Sequence, residues 1–432
     1  MKNVMKSPVI GFVGMTHLGL VSAVASAEYV DKVVGFDADS NLVQQLKAGV
    51  FPIEEPGLGL LFQKLHDTQL FFSSDPTDLF ECDVVYVAPD IPTDDSGASD
   101  LAILHELIDM AFKFSRSDAV IILLSQVPPG FSRSFADCGR PFYYQVETLV
   151  FGRALDRALY PERFIVGCND PSDNLPESMS NFLKRFGCPI LQMRYESAEL
   201  AKTAINMFLV SSVSTANFLA ELCEAIGADW SEIIPSLRLD KRIGMDAYIS
   251  AGLGISGGNL ERDISTLSRL GVSKGVGTGL LDSWLELSVR RKGWVAEKVR
   301  QVLRGHTTNA RVAVLGLSYK ENTHSTKNSP ALRVLRELAD FDISVYDPVV
   351  SWNRSWHSKA LVARSVRAAC EAADVLAIVT PWPEFKKIKM AQLSCWMRGR
   401  QIIDPFGLVD IEDAFEYGFT LHRLGVSSAT TI

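Results

Sequence analysis

Short apolar runs predict buried strands in the first and last thirds of the chain. The runs are rich in β-branched residues and are separated by segments long enough for helices. Continuous runs of this kind are typical of parallel strands that helices cover on both faces. We therefore predict two α/β halves, each a doubly wound parallel sheet. The predicted strands lie near residues 9–13, 33–37, 83–87 and 119–124, and near residues 311–315, 343–347, 374–379 and 401–403.

A helical region separates the two halves. Apolar positions recur at intervals of three and four from about residue 197 to about residue 302. A glycine-rich stretch at 251–260 interrupts this pattern. The first, long helix is expected either to bridge the halves or to form a dimer interface, because both roles place apolar residues on it. The predicted domains are residues 1–195, 196–303 and 304–432.

Composition and charge argue against several kinds of partner. The chain has 432 residues and a net charge of −8, with no long basic run, which argues against a nucleic-acid partner. No stretch reaches the roughly 18–20 apolar residues of a membrane span, and the N-terminal run is too short for a signal peptide. The seven cysteines are scattered, with no metal-ligand spacing, which favours reduced thiols in the cytosol. We therefore expect a soluble, cytoplasmic protein without metal, membrane or nucleic-acid partner.

Residues 14–19 read Gly-Met-Thr-His-Leu-Gly, directly after the first predicted strand. A dinucleotide fingerprint has glycine at the first, third and sixth positions, and Thr16 at the third would crowd a pyrophosphate. Asp37, about 20 residues further on, suits the ribose hydroxyls of NAD and repels the extra phosphate of NADP. A glycine turn without ligand is the alternative. The predicted NAD contacts are Gly14, Thr16, His17, Leu18, Gly19 and Asp37.

Polar residues on the long helix and after the glycine-rich stretch are candidate catalytic residues. Lys202 and Asn206 are four residues apart and therefore share a helix face, where they could orient a hydroxyl or hold a catalytic water. Asp263 follows the glycine-rich stretch, whose glycines permit close approach to a ligand. The alternatives are a solvated helix stripe for the first pair and an ordinary helix-to-helix turn for the second segment.

Ordered motifs along the chain resemble those of one enzyme family. They are Pro-Ile-Glu-Glu-Pro-Gly-Leu at 52–58, Pro-Thr-Asp at 92–94, Val-Pro-Pro-Gly at 127–130, Arg-Ile-Gly at 242–244, and the segment from 315 to 331 that begins Leu-Gly-Leu-Ser-Tyr-Lys. From about residue 8 to about residue 425 the chain resembles the UDP-glucose/GDP-mannose dehydrogenases. The resemblance implies two Rossmann-like domains, for NAD and for the sugar nucleotide, joined by a long central helix within a helical dimerisation domain. It also implies oxidation of the C6 alcohol of a nucleotide-linked hexose to the carboxylate with two NAD.

The resemblance also implies roles for individual residues. In the family, a lysine, an asparagine and an aspartate assist alcohol oxidation, a cysteine traps the aldehyde, and a glutamate assists hydrolysis of the thioester. The matching catalytic positions are Lys202, Asn206, Asp263 and Glu147, with Asn259 at the position of the cysteine. The implied cofactor contacts are Thr93 and Lys327, and the implied substrate contacts are Arg242, Tyr248, Gly257 and Lys320.

The departures from the family pattern lie mainly at or near the predicted catalytic and binding positions. An asparagine amide is not a nucleophile at neutral pH, so Asn259 cannot form the covalent adduct that links the two oxidation steps, although it can donate a hydrogen bond. The hypothesis is therefore a two-electron reaction at C6. Full oxidation through an aldehyde hydrate and a catalytically silent nucleotide-sugar-binding protein are the alternatives. The other departures include Phe151 for a glutamate, Gly258 for a serine, Arg262 for a lysine, Gln126 for a threonine, Gln145-Val146 for Asn-Pro, and Lys327 and Phe406 for arginines.

Overall fold

The computed structural model describes residues 7–91, 100–305 and 310–427, and the chain divides into two compact units, Met1–Ile205 and Asn206–Ile432. The strands are β1 Ile10–Val13, β2 Val33–Phe36, β3 Leu70–Ser73, β4 Val84–Val87, β5 Val120–Leu123, β6 Phe142–Gln145, β7 Phe164–Cys168, β8 Ile190–Arg194, β9 Arg311–Leu315, β10 Asp342–Tyr346, β11 Leu361–Val362, β12 Val375–Ile378, β13 Gln401–Ile403 and β14 Thr420–His422. The helices are α1 His17–Ala27, α2 Ser40–Lys47, α3 Leu58–Leu65, α4 Ala102–Phe114, α5 Ala154–Leu159, α6 Glu177–Leu183, α7 Tyr195–Ile226, α8 Trp230–Leu239, α9 Asn259–Ser273, α10 Gly279–Lys292, α11 Trp294–Val302, α12 Pro330–Glu337, α13 Val366–Cys370, α14 Met390–Trp396 and α15 Ile411–Glu416.

The first unit is built on an eight-stranded sheet in the order β3-β2-β1-β4-β5-β6-β7-β8. Every residue of β1, β2, β4 and β5 is buried, which explains their continuous apolar sequences. The prediction of a parallel sheet is confirmed for β1 to β6, but β7 pairs antiparallel with β6. The connection between these strands carries the short helix α5, which packs on α1, and it starts β7 at the edge of the sheet where β6 ends.

The second unit contains a six-stranded, fully parallel sheet in the order β11-β10-β9-β12-β13-β14. Its strand order changes direction between β9 and β12, just as the first sheet changes direction between β1 and β4. In open α/β sheets, ligands bind outside the carboxyl ends of the strands at such switch points. The two predicted sheets are therefore confirmed, and each has one place where a ligand is expected.

Helices α7 to α11 occupy the segment between the two sheets. α7 is 32 residues long and, by length and composition alone, is apolar enough to cross a membrane, which the sequence analysis did not expect. Core helices of soluble proteins pass the same test. Glu199 on α7 is fully buried, and its carboxylate accepts hydrogen bonds from the backbone N–H groups of Gly130 and Ser132, at 2.5 and 2.7 Å. The start of α7 therefore packs on the N-terminal sheet domain. The three predicted domain boundaries and the cytoplasmic location stay predictions.

A buried ion pair fixes the far end of α7 within the second unit. Arg291 of α10 is 2% exposed and donates to Glu224 Oε1 at 3.3 Å. The same carboxylate accepts from Trp294 Nε1 at 2.9 Å and from the Gly425 N–H at 3.0 Å. One carboxylate thus ties α7 to α10, to α11 and to the chain after β14.

We expect Glu224→Gln to lower the free energy of unfolding of this unit by about 3 kcal/mol, because it leaves the buried Arg291 charge without an ionic partner. Scanning calorimetry of the full chain should show a lowered Tm for one transition. The matched control is Glu221→Gln, whose partner Arg290 is 57% exposed, and its cost should stay below about 1 kcal/mol. Equal shifts for the two variants would contradict this account of Glu224.

Candidate active site

The fingerprint turn is shaped by contacts within the first unit. Gly14 has φ of 90°, and a Cβ on Gly19 would lie 1.9 Å from the Gly14 carbonyl oxygen, so neither position tolerates a side chain easily. Thr16 directs its hydroxyl to the Asp90 N–H, which donates to Oγ1 at 2.7 Å. The Asp90 carboxylate accepts from the Leu18 N–H at 3.3 Å, at the start of α1. A helix start with this glycine geometry fits a pyrophosphate, which would compete with Asp90 for the same N–H.

The same acidic contact supports the turn in both sheets. Asp37 Oδ2 accepts from the Met15 N–H at 2.7 Å, and Asp347 Oδ2 accepts from the Leu317 N–H, also at 2.7 Å. The glycine before each donor has a positive φ, 90° at Gly14 and 97° at Gly316. Asp37 therefore holds the turn as well as being a candidate ribose ligand. A carboxylate offers about four acceptor sites, so this contact leaves acceptor capacity for hydroxyls.

His17 lies in a buried cluster. Its ring stacks on Phe151 with centroids 4.2 Å apart, and Nε2 is 3.4 Å from Glu55 Oε2. The Glu55 carboxylate also accepts from the N–H groups of Gly152, at 3.1 Å, and Ala154, at 2.6 Å. The ring that the sequence analysis assigned to the cofactor is thus only 8% exposed and is engaged by Phe151 and Glu55. The sequence analysis missed Glu55, whose only signal was its place in the 52–58 motif.

Two of the predicted catalytic residues form an ion pair in the first unit. Lys202 Nζ lies 2.6 Å from Glu147 Oε1, and both side chains are less than one-fifth exposed. Glu147 Oε2 also accepts from the Leu149 N–H at 2.9 Å. Glu147 and Gln145 line a cavity of about 60 Å³, which is room for a few water molecules. The pair therefore places an ammonium, a carboxylate and space for water together.

The other two residues meet in the second unit. Asn206 Nδ2 donates to Asp263 Oδ2 at 2.5 Å, and Arg262 Nε lies 3.1 Å from Oδ1. The Asp263 side chain is 1% exposed. The Asn206 amide nitrogen donates to Asp263. The side-chain carbonyl oxygen of Asn206 can therefore accept a hydrogen bond from a hydroxyl. The arrangement makes Asp263 a positioning group for Asn206.

Asn259 is the first residue of α9 and is exposed. The glycine-rich stretch before it turns sharply, with φ of 77° at Gly254 and 78° at Gly257. A Cβ on Gly257 would lie 2.9 Å from the Tyr319 ring, so glycine is required for this packing. The segment thus presents position 259, where the family keeps its nucleophile, at a helix start beside the C-terminal sheet domain.

Two of the predicted substrate contacts, Arg242 and Tyr248, are exposed, whereas Gly257 is buried. The Arg242 side chain is 89% exposed, with Asp240 Oδ2 at 2.6 Å, and Tyr248 is 61% exposed. The Lys320 ammonium lies 5.8 Å from the Tyr319 ring centroid. Thr93 lies outside the described residues. The roles of these residues stay predictions.

An arginine that the sequence analysis missed lies beside Phe406. Arg423 directly follows β14, the neighbour of β13, and donates to the Val409 carbonyl oxygen. Its guanidinium carbon would lie 3.9 Å from a Cβ on Gly407. In the sequence, Arg423 follows β14 and Phe406 follows β13. These two strands are parallel neighbours, so the segments after them lie at the same edge of the sheet. Arg423 thus brings a positive charge close to the position where the family pattern has one.

Comparison with known proteins identifies the family of the chain. Family models of the UDP-glucose/GDP-mannose dehydrogenases match residues 8–186 as the NAD binding domain, 196–288 as the central domain and 313–411 as the UDP binding domain. The UDP-glucose 6-dehydrogenase of Rickettsia typhi (strain ATCC VR-144 / Wilmington) is 30% identical over 96% of this chain and 99% of its own. The UDP-glucose 6-dehydrogenase TuaD of Bacillus subtilis (strain 168) is 29% identical over 96% of this chain and 93% of its own.

A solved structure shares the fold. The UDP-glucose dehydrogenase from the hyperthermophilic archaeon Pyrobaculum islandicum superposes with a TM-score of 0.82 over 99% of both chains, at 24% identity. That identity supports the fold alone, whereas the sequence relatives extend over nearly the whole chain. The chain therefore belongs to the UDP-glucose/GDP-mannose dehydrogenase family of NAD-dependent oxidoreductases.

Proposed function

We propose that the protein oxidises the C6 alcohol of a UDP-hexose by two electrons and releases the aldehyde. The observation that carries the proposal is that the groups for alcohol oxidation are paired and ordered while position 259 holds an asparagine. Lys202 is paired with Glu147, and Asn206 with Asp263. UDP is the proposed nucleotide because residues 313–411 match the UDP binding domain of the family.

The chemistry needs one proton acceptor and one hydride acceptor. NAD, when bound, accepts the hydride from C6. The Asn206 carbonyl oxygen receives the hydrogen bond of the C6 hydroxyl and orients it. The Glu147 carboxylate, which is paired with Lys202, takes up the proton, directly or through water in the adjoining cavity. The sum is alcohol plus NAD to aldehyde, NADH and one proton.

A second oxidation through sulfur has no cysteine at position 259 to carry it. The Asn259 amide donates a hydrogen bond but forms no thiohemiacetal. Burial raises the pKa of the Cys370 thiol to about 12 and also raises that of Cys223. A thiol with a raised pKa holds little thiolate at neutral pH and is a poor nucleophile. These buried cysteines of the second unit therefore do not replace the missing one.

The proposal includes a homodimer through the central helices. In the second unit, α7 exposes Phe208 at 78% and Ile226 at 68%. Large exposed apolar side chains on one helix mark an interaction surface. In this dimer, the exposed Arg242 reaches the substrate of a partner subunit.

Full oxidation through a bound aldehyde hydrate is the second candidate. The cavity beside Glu147 favours it, because a water held there could be activated by that carboxylate. Water would then take the place of sulfur, and the product would be the uronate.

With UDP-glucose and excess NAD, we expect one NADH per sugar consumed and an aldehyde at C6. Absorbance at the NADH band would be followed while mass spectrometry identifies the product, trapped as a hydrazone. Two NADH with a uronate would establish the hydrate route instead. Absence of NADH with UDP-, GDP- and dTDP-hexoses would establish a silent binding protein.

We expect Asn259→Cys to gain covalent chemistry that Asn259→Ala does not. The cysteine variant should form a substrate adduct, seen by intact-protein mass spectrometry, because its sulfur stands at the start of α9 where the aldehyde is formed. The alanine variant, the matched control, should keep one NADH per sugar. Loss of the first NADH in both variants would show that Asn259 is needed for alcohol oxidation and is not simply the missing nucleophile.

A further inference from the structure

Three departures from the family pattern lie together in the second unit. Gly258 stands in place of a serine, Asn259 in place of the cysteine and Lys327 in place of an arginine. The Lys327 side chain runs past Gly258, with Cδ at 3.1 Å, Cε at 3.3 Å and Nζ at 3.6 Å from the position of a Cβ on that glycine. Positions 69 residues apart in sequence are thus in contact, next to Asn259.

Gly258 provides the space for the lysine. A separation of 3.1 Å between carbon atoms is shorter than an ordinary van der Waals contact of about 3.5–4.0 Å. A side chain at 258, including the family's serine, would therefore require Lys327 to shift by a few tenths of an ångström. The glycine and the lysine form a matched pair.

The backbone around Lys327 is held in place against the glycine-rich stretch. Asn328 has φ of 54°, and its Nδ2 donates to the Gly257 carbonyl oxygen at 2.9 Å. The same amide also donates to Glu261. The position of the lysine beside Gly258 therefore follows from a fixed turn.

The Lys327 ammonium has no acidic partner among the residues that the structure describes. Glu261, the nearest acidic residue in sequence to Asn259, is bound by Lys292 Nζ at 2.8 Å and by Asn328. Asp263 is held by Asn206 and Arg262. A positive charge with neighbouring carboxylates already paired favours an anionic ligand.

We propose that Lys327, together with the Asn259 amide, binds negatively charged oxygen at C6 of the sugar and makes the site selective for it. This inference rests on the proposed function, because it takes a nucleotide sugar as the ligand. The ammonium and the amide are two hydrogen-bond donors without a nucleophile. They match an alkoxide, a hydrate anion or a carboxylate at C6 better than a neutral hydroxyl. Lys327 thereby acts on the substrate, in addition to the cofactor role that the family resemblance implies.

Equilibrium binding tests the inference without turnover. Calorimetric titrations would compare UDP, UDP-glucose and UDP-glucuronate, which differ in having no sugar, a C6 hydroxyl or a C6 carboxylate. We expect the unaltered protein to bind the carboxylate about tenfold more tightly than the hydroxyl, the value of one charge-assisted contact at a partly exposed site. Lys327→Met should remove this preference and leave the affinity for UDP within about twofold.

Two further variants separate the proposed role from a general effect of charge. Gly258→Ser should weaken the carboxylate preference in the same direction, because its side chain displaces the lysine. Lys386→Met removes the charge of another exposed lysine in the same unit and should leave the preference unchanged.

The other outcomes overturn the inference. A carboxylate preference that survives Lys327→Met would show that Lys327 does not contact C6. An equal loss for UDP would assign the lysine to the diphosphate. Failure to bind any nucleotide sugar would overturn the proposed function as well, whereas binding of UDP-glucose without a carboxylate preference would overturn only this inference.

Discussion

Asp263 carries a charge that water barely reaches, and such a group requires partners inside the protein. Asn206 on α7 and Arg262 on α9 supply them. Because Asn206 lies on α7 and Asp263 on α9, their hydrogen bond fixes α9 against α7. Asn259 is four residues before Asp263 and therefore on the same face of α9. The position where the family keeps its nucleophile is set by this one buried carboxylate.

The same contact explains how one step of the reaction can be kept without the other. In the proposed reaction, alcohol oxidation uses Asn206 and the Lys202–Glu147 pair, and the hydrogen bond and ion pair of these residues do not involve the side chain at 259. Thioester formation depends on that side chain alone. In the proposed reaction, an amide in place of sulfur at 259 removes the second step and leaves the helix contact in place. Lys327 lies beside Gly258, the residue before Asn259. In the proposed site, the lysine ammonium and the Asn259 amide are two hydrogen-bond donors in place of one nucleophile.

The sequence predicted the parts of the fold that depend on local pattern. Strands β1, β2 and β4 lie within one residue of their predicted runs, because buried parallel strands are apolar throughout. The antiparallel β7 was not predicted, since strand direction depends on where the preceding loop returns. The family resemblance implied roles for individual residues but not how their side chains pair.

The contacts that the sequence could not predict are long-range side-chain contacts. The stacking of His17 on Phe151 joins positions from different elements, and no local pattern encodes it. The approach of Lys327 to Gly258 depends on a turn fixed by Asn328. The second role of Asp37, as acceptor of the Met15 N–H, is equally invisible in a motif. These contacts are set by tertiary packing, so they became visible only with the structure.

The central claim is that the protein removes one hydride from C6 and then stops. Its most direct test is the deuterium content at C6 of the product formed from UDP-glucose carrying two deuterium atoms there, measured by mass spectrometry. The account predicts a product that keeps one deuterium at C6, with the other found in the reduced cofactor. A product with no deuterium at C6 would show that both hydrides leave and would contradict the account.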